Sequence, residues 1–394
     1  MTSSMPEGLK NNIEYGIGLA PFTTMGVGGP AAYFARVTRE EDIPEIFDWA
    51  QQKKIPVLVF GGGSNLVVSD RGFSGLALKM EISGIHCTHE TSFQVELECA
   101  AGEPWDHFVE YTVQKGWWGV ENMSLIPGTV GAVAVQNVSA YGQESKTVIT
   151  KVRAYDIYTA GFVELRKDQC EFGFRKSIFN TTEAGRYIIV AIGFQLYKKG
   201  LPNLARREIV YEIEKRRQAR KKRITGYGQA EIRAAVIRLR TSGKLLPPPD
   251  TVGNSGTFFR ASIISQNNFW KILKKVYRNI GLPLVVKILG CRWRYSSKKG
   301  FKVPSRMLIE ACGLEKLHYG SISLYKTNCA VLINSGGASG GADILRMIRQ
   351  VRVAVYSKTG VIVPVEPSLV GFTEDELKQA FCLSSDKNKG ASCA

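Results

Sequence analysis

Apolar and polar positions along the chain alternate between short apolar runs and a few longer helical stretches. GVGGPAAYFARV reads as a glycine turn entering a strand, and REEDIPEIFDWAQQKK reads as a helix with acids at its start and lysines at its end, as the helix dipole favours. FSGLALKM and SFQVELECAAG read as strands, PWDHFVEYTVQKGW as a helix, and KVRAYDIYTAGFVELR as a hairpin whose turn contains Gly161. After the strand RYIIVAIGFQLYK, residues 200–243 turn basic and helical and stop before three prolines, which cannot continue a helix. Beyond lie GNSGTFF, a basic helix near 266–279, KVPSRMLIEACGL, a strand CAVLIN, a glycine turn SGGASGG, a helix ADILRMIRQVRVAVYSKTG and a last strand IVPVEPSLVGF. The pattern predicts an α+β protein: an extension over 1–20, a domain of two subdomains over 21–199, a basic helical insert over 200–243, a separate α+β domain over 244–374, and a polar tail over 375–394 expected to be disordered.

Two stretches obey neither period. In IPVLVFGGGSNLVVSD an apolar strand runs into Gly61-Gly62-Gly63-Ser64-Asn65 and out into a second apolar run. It lacks the Gly-Lys-Ser/Thr ending of a Walker loop, and no helix follows as in a dinucleotide fingerprint. An ordinary glycine hairpin and a phosphate-handling turn both fit it. The second stretch, Asn122 to Glu144, holds Pro127-Gly128-Thr129, Gly131, the pair Gln136-Asn137 and Tyr141, spaced too irregularly for an amphipathic helix or an alternating strand. Glycines with small neighbours let main-chain N–H groups approach a ligand, and such groups form anion-binding concavities. The stretch is expected to cradle a diphosphate.

Composition narrows the class. With 394 residues, 44% hydrophobic and 22% charged, the chain has the make-up of a globular protein of two or three domains. No apolar run reaches the roughly 18 residues of a membrane span, and the N-terminus lacks the pattern of a secretory signal, so a cytoplasmic location is expected; the chain is separately expected to be a monomer. Eight cysteines without a C-x-x-C pair and four histidines without a clustered third ligand point away from a metal site and from a disulfide framework. The net charge of +17 calls for an anionic partner: nucleic acid, a membrane surface or a phosphorylated substrate. The excess concentrates in Arg206 to Arg223 and in a looser cluster from Lys271 to Lys302. The first run lacks the aromatic interleaving of single-strand binders and its glutamates sit at helical pairing distance, so no nucleic-acid partner is expected.

VFGGGSNLVVSD, GVENMSLIPGTVGAVAVQNVSAYGQE, CEFGFRKSIF, GNSGTFF and KVPSRMLIEACGL, in that order, resemble the UDP-N-acetylenolpyruvoylglucosamine reductases of bacterial cell-wall synthesis over roughly residues 20 to 372. The insert resembles the longer of that family's two subclasses. The resemblance implies an FAD-binding fold of the vanillyl-alcohol-oxidase (PCMH) kind followed by a substrate-binding domain. It implies that Gly61, Gly62, Gly63, Ser64 and Asn65, with Pro127, Gly128, Thr129 and Gly131, hold the FAD diphosphate, and that Gln136, Asn137 and Tyr141 flank the flavin.

The implied chemistry takes hydride from NADPH to the flavin and on to the methylene carbon of an enolpyruvyl ether on a UDP sugar. Negative charge then develops on the carboxylate side, and an acid must protonate C2. Arg175 matches the family's carboxylate-binding arginine, a role suited to a permanently charged bidentate fork. Thr257 stands where the family carries a serine proton donor; it keeps the hydroxyl but adds a methyl and a stiffer χ1. Ser368 stands where the family carries a glutamate, and Glu366, two residues earlier, would share its face on a regular strand, displaced by roughly 6 to 7 Å. Tyr211, in competition with Tyr227, and Lys244 match the family's contacts to the substrate diphosphate. Two further readings stand beside the reductase: a flavin-binding homologue with altered catalysis, and a basic nucleic-acid binder.

Overall fold

The computed structural model describes residues 12–219, 226–294, 296–297, 300–337 and 339–383. They form two compact units, one of Met1–Ile17, Ala31–Gly63 and Ser74–Thr241, the other of Gly18–Pro30, Ser64–Phe73 and Ser242–Ala394. The second unit therefore draws on two early segments that the sequence pattern had assigned to the first domain. Residues 1–11 of the expected extension lie outside the described residues, while Ile13–Gly18 is a strand of the first unit's sheet.

In the first unit a four-stranded sheet runs in the order Ile13–Gly18, Pro30–Val37, Phe73–Met80, Val57–Phe60. Its inner strand Phe73–Met80 is buried on both faces, so Leu76, Ala77 and Leu78 lie consecutively in the core instead of alternating. The helix Asp42–Gln52 packs Ile43, Ile46 and Trp49 into the same cluster, which Tyr155, Ile188 and Val190 of the second sheet join. That second sheet is antiparallel, in the order Gly161–Arg166, Ile149–Asp156, Tyr187–Tyr197, Gln94–Ala100, Ile85–Glu90. The helix Trp105–Gln114 covers it through Trp105 and Phe108, the Phe108 ring 4.5 Å from that of Phe194.

The basic insert is a pair of helices, Arg207–Ala219 and Gln229–Thr241, with a small core of Ile209, Ile213, Ile232, Ala235 and Val236. Several of its cations are committed to carboxylates: Arg217 to Glu231 at 2.7 Å, Arg238 to Glu212 at 2.7 Å and Arg233 to Asp106 at 2.6 Å. Positive composition here builds the helix pair. Residues 220–223 of the basic run lie outside the described residues.

The second unit holds a four-stranded sheet ordered Gly253–Thr257, Asn328–Asn334, Ile322–Tyr325, His318–Tyr319, and a small sheet of Ser262–Ile264, Gly300–Val303 and Ser296–Ser297. Its helices are Phe269–Asn279, Leu282–Arg294, Ser305–Ala311, Gly341–Thr359 and Glu374–Phe381. The long helix Gly341–Thr359 starts where the Asp70 carboxylate accepts the N–H groups of Gly341 and Ala342, at 2.8 and 3.1 Å, and ends at Gly360 in the left-handed conformation.

Two expectations need correction, and one helix is added. Glu374–Phe381 is a helix with a capping box from Thr373 and a buried Ala380, so the polar tail is ordered at least to 381; its end from 384 lies outside the described residues. The last strand is limited to Ser368–Val370, because the prolines at 364 and 367 interrupt pairing. Leu282–Arg294 is a second helix in the Lys271 to Lys302 cluster; its apolar residues occupy two opposite faces, which blurs the amphipathic period.

Candidate active site

The two glycine stretches meet within the first unit. Val57–Phe60 pairs parallel with Phe73–Met80, and Leu66–Val68 pairs parallel with Ser368–Val370, so the strands either side of Gly61 to Asn65 do not form a hairpin with each other. The turn packs against the second loop instead. A Cβ on Gly62 would lie 2.9 Å from the Gly128 Cα, and one on Gly61 would lie 2.1 Å from Thr129 Oγ1. Gly63 and Gly128 adopt φ of +60° and +108°. Among the described residues, the backbone N–H groups of Gly61, Gly62, Gly63, Gly128 and Thr129 donate to no protein acceptor. A concavity of unengaged amides that a Cβ would fill fits a diphosphate.

The amide of Gly131 is excluded from that role. It donates to the Ala101 carbonyl at 2.8 Å, as Val130 does to Glu103 at 2.9 Å, and these bonds dock the short helix Val130–Val135. Gly131 is small for packing: a Cβ would meet that of Ala101 at 2.8 Å.

Asn137 was expected beside the flavin, yet its side chain is committed to protein. Its Oδ1 accepts from Lys146 N at 3.0 Å and Ser145 Oγ at 3.2 Å, and its Nδ2 donates to the Gly173 carbonyl at 2.8 Å. Gly173 opens the tight turn closed by its N–H on the Lys176 carbonyl at 2.8 Å, and Arg175 sits within it at φ +53°. Ser177 Oγ adds a bond to the Val135 carbonyl at 2.5 Å. Arg175 is thus held in register with the second glycine loop from both sides of its turn. Gln136 is half-buried at the end of the short helix.

Among the described residues, Leu125, Asn137, Tyr141 and Arg175 are four of the eight non-glycine residues at positive φ, and all lie in or beside this loop. Such backbone costs about 1–3 kcal/mol per residue and clusters at ligand clamps. The sequence pattern missed what holds Leu125. Its N–H donates to Asp106 Oδ1 at 2.5 Å, and its carbonyl accepts from Arg240 Nε at 3.0 Å. Burial works to raise the Asp106 pKa, but hydrogen bonds from Arg233 and Leu125 and the charges of Arg233 and Arg240 together hold it below the usual carboxylate range. Burial lowers the Arg240 pKa. One helix of the insert is therefore part of the loop's support, a role carried by tertiary partners over 100 residues away.

Tyr141 packs on the insert core with Tyr227 and Leu239, its carbonyl accepting from Asn122 Nδ2 at 2.9 Å, and burial raises its pKa. Tyr227 is engaged, its hydroxyl on Glu214 at 2.9 Å and its ring beneath the Arg217 guanidinium at 4.8 Å. Tyr211 lies on the helix Arg207–Ala219 with its side chain in solvent, not on a loop.

In the second unit a β-bulge between Asn254 and Thr257 re-aims the end of the strand. Gly256 takes φ +70°, Thr257 is exposed, and Phe258 and Phe259 are fully buried anchors behind it. Glu366 N donates to the Phe258 carbonyl at 2.9 Å, Ser368 N to the Asn65 carbonyl at 2.9 Å, and Asn65 Nδ2 to the Glu366 carbonyl at 3.5 Å. Asn65, Thr257, Glu366 and Ser368 thus lie on adjoining segments. Glu366 and Ser368 do not share a regular strand, as the sequence had implied: the chain bends at the buried Pro367 and changes partner from the Phe258 segment to Asn65–Leu66. Lys244 is exposed on a loop pinned by Tyr325 Oη on the Gly243 carbonyl at 2.7 Å and by Asn328 Nδ2 on the Leu245 carbonyl at 2.9 Å.

Among the described residues no cluster of histidine, cysteine or acid could hold a metal, and no helix is long and apolar enough to cross a membrane. Burial pushes the thiols of Cys170 and Cys329 up to about 12, which leaves them protonated.

The fold and the paired glycine loops define an FAD-binding flavoprotein. A family model described as FAD binding domain matches residues 31–161, and one described as UDP-N-acetylenolpyruvoylglucosamine reductase, C-terminal domain, matches residues 248–370. UDP-N-acetylenolpyruvoylglucosamine reductases of Bdellovibrio bacteriovorus, Neisseria gonorrhoeae and Chromobacterium violaceum are each 32% identical to the chain, covering 89%, 90% and 90% of it and 97%, 97% and 98% of themselves. The crystal structure of UDP-N-acetylenolpyruvylglucosamine reductase (MurB) from Thermus caldophilus has the same fold, with a TM-score of 0.57 at 19% identity, over 91% of this chain and 98% of that one. The chain belongs to the UDP-N-acetylenolpyruvoylglucosamine reductase family and is an FAD-dependent oxidoreductase. Its fold class is the one expected: α+β, a PCMH-type FAD-binding domain with a C-terminal reductase domain.

Proposed function

We propose that the protein reduces UDP-N-acetylglucosamine enolpyruvate to UDP-N-acetylmuramate with NADPH, for peptidoglycan precursor synthesis, as a cytoplasmic monomer. The observation that carries this reading is the contact of the two glycine loops, with the Arg175 turn tied to one of them. Bound FAD supplies the hydride relay between NADPH and the methylene carbon of the enolpyruvyl ether.

This chain's residues divide the remaining work. The amides of Gly61, Gly62, Gly63, Gly128 and Thr129 hold the FAD diphosphate, and Asn137 holds the Arg175 turn. Arg175 binds the substrate carboxylate and meets the charge that develops there. Thr257 Oγ1 gives its proton to C2, and Glu366 supports that transfer through water. Tyr211 and Lys244 contact the substrate diphosphate, Tyr211 being favoured because the Tyr227 hydroxyl is already engaged.

The test is spectroscopic. The purified yellow protein should be bleached by NADPH and restored anaerobically by the enolpyruvyl substrate. Bleaching without restoration supports a flavin-binding homologue with altered catalysis, a reading favoured by the exposed Ser368 at the position where the resemblance implies a glutamate. A colourless protein that takes up no FAD defeats both.

A further inference from the structure

The helix pair Phe269–Asn279 and Leu282–Arg294 carries a surface that the proposed reaction does not use. In the second helix Leu284, Ile288 and Cys291 are buried in the core of their unit. Leu282, Val286, Leu289 and Trp293, spaced four, three and four residues apart, form a stripe along the opposite side, because such spacings fall on one face of an α-helix. Their relative exposures are 60%, 58%, 42% and 95%. The preceding helix adds Trp270 and Tyr277, seven residues apart on one face, at 71% and 63%. A helix apolar on two opposite faces has one face that needs a cover.

The charge around the stripe identifies that cover. From residue 251 to 309 the chain has twelve lysines and arginines and no aspartate or glutamate. Lys271, Lys274, Arg278 and Lys287 of the two helices are exposed. A basic helix surface with exposed tryptophan, tyrosine and long aliphatic side chains has the composition of an interfacial anchor on anionic lipid. Tryptophan and tyrosine favour the headgroup level, and leucine and valine gain by leaving water for the acyl boundary. A second copy of the chain would bring like charge against like charge. Single-stranded nucleic acid would stack on the aromatics but leave the aliphatic stripe in water. The chain's own C-terminus, SSDKNKGASCA, is too polar to cover it.

We propose that this face docks the protein peripherally on an anionic bilayer, independently of the reaction assigned above. Full-length, FAD-loaded protein is floated with vesicles of phosphatidylcholine alone and of phosphatidylcholine mixed with phosphatidylglycerol, at low and high salt. Flotation is expected with the anionic vesicles only, weakened by salt. The double variant Leu289→Glu, Trp293→Glu and the double variant Lys274→Glu, Lys287→Glu should each lower the partition coefficient about tenfold or more. Since all four positions are exposed, the flavin spectrum and melting temperature report whether the variants remain folded. Absence of flotation, or flotation unchanged in the Leu289/Trp293 variant, overturns the proposal. So does a dimer in sedimentation equilibrium that this variant dissolves while the wild type ignores vesicles, which assigns the stripe to a second copy.

Discussion

At Gly62 the two cofactor loops are separated by less than a methyl group, and this contact is steric, since Gly62 itself is not at positive φ. The neighbouring atom is the Gly128 Cα, backbone that cannot swing aside as a side chain would. Gly62→Ala is therefore expected to cost roughly 1–3 kcal/mol of loop geometry, seen as a tenfold or greater loss of FAD affinity. The flavin-to-protein absorbance ratio and a titration of apoprotein with FAD check this, and unchanged retention would remove the contact from the cradle. Thr257 makes a separable claim. Thr257→Val keeps the branched shape and deletes the donor, so bleaching by NADPH should persist while reoxidation by substrate slows by about 10²–10⁴. Thr257→Ser restores the hydroxyl without the methyl and should keep reoxidation near wild type. Equal reoxidation in all three proteins would exclude Thr257 as the proton donor.

At the level of elements, the second loop is held open by a helix of the basic insert and by the start of Trp105–Gln114. Asp106 takes the Leu125 N–H and Arg240 gives to the Leu125 carbonyl, so a residue at φ +59° is fixed at both ends of its peptide groups. Arg240→Met should weaken FAD binding by roughly tenfold, of the order of one charge-assisted hydrogen bond, while leaving far-UV helix content unchanged. The Asp106 carboxyl has a depressed pKa when folded. Its contribution is therefore complete above the ordinary carboxylate pKa and is lost as pH falls through that range to the lower folded value. Flavin release on acidification below about pH 4 should be reduced in its pH dependence by Asp106→Asn, measured by free-flavin fluorescence. Strands such as Tyr187–Tyr197 were legible because an apolar run of that length must be buried, whereas Gly61 to Asn65 stood out as a glycine run fitting no period and left a hairpin and a phosphate turn both open until the structure paired its flanking strands with other partners. The Leu125 clamp was not legible, since nothing local marks a carboxylate and a guanidinium as partners of one distant peptide. The bonds of the Asn137 side chain were not legible for the same reason: a polar residue in a glycine loop looks the same whether it faces a ligand or ties down the next turn.

On the scale of the molecule, the C-terminal helix shows how a segment with little sequence signal becomes structural. Arg352 of the long helix is 3% exposed and has no carboxylate among its described partners; it donates to the Val363 carbonyl at 2.7 Å and to the Phe381 carbonyl at 3.4 Å. Its guanidinium lies 4.8 Å from the Phe381 ring centre, and burial lowers its pKa. One buried cation thus joins the helix Glu374–Phe381 to the segment that leads through Glu366 to Ser368. A buried charge stripped of its partners is costly, so removing the C-terminal helix should destabilise more than the loss of its own small apolar face would. A chain ending at Phe372 is expected to lose about 2–4 kcal/mol, which for a unit of this size lowers the melting temperature by several degrees. The same truncation takes the Phe381 carbonyl and ring from Arg352 and leaves that cation with the Val363 carbonyl as its anchor beside the Glu366 segment, so reoxidation by substrate should slow while bleaching by NADPH is spared, because the cofactor loops of Gly61 to Gly63 and Gly128 to Thr129 lie in the other unit. Arg352→Met in the full-length chain separates the two contributions. It keeps the aliphatic stem and removes the unpaired charge, and should recover part of the stability that truncation loses when the two changes are combined. If the truncated chain melts with the wild type and reoxidises at the same rate, the helix plays no part in holding the Glu366 segment, and the support for that residue must come from Phe258 and Asn65 alone.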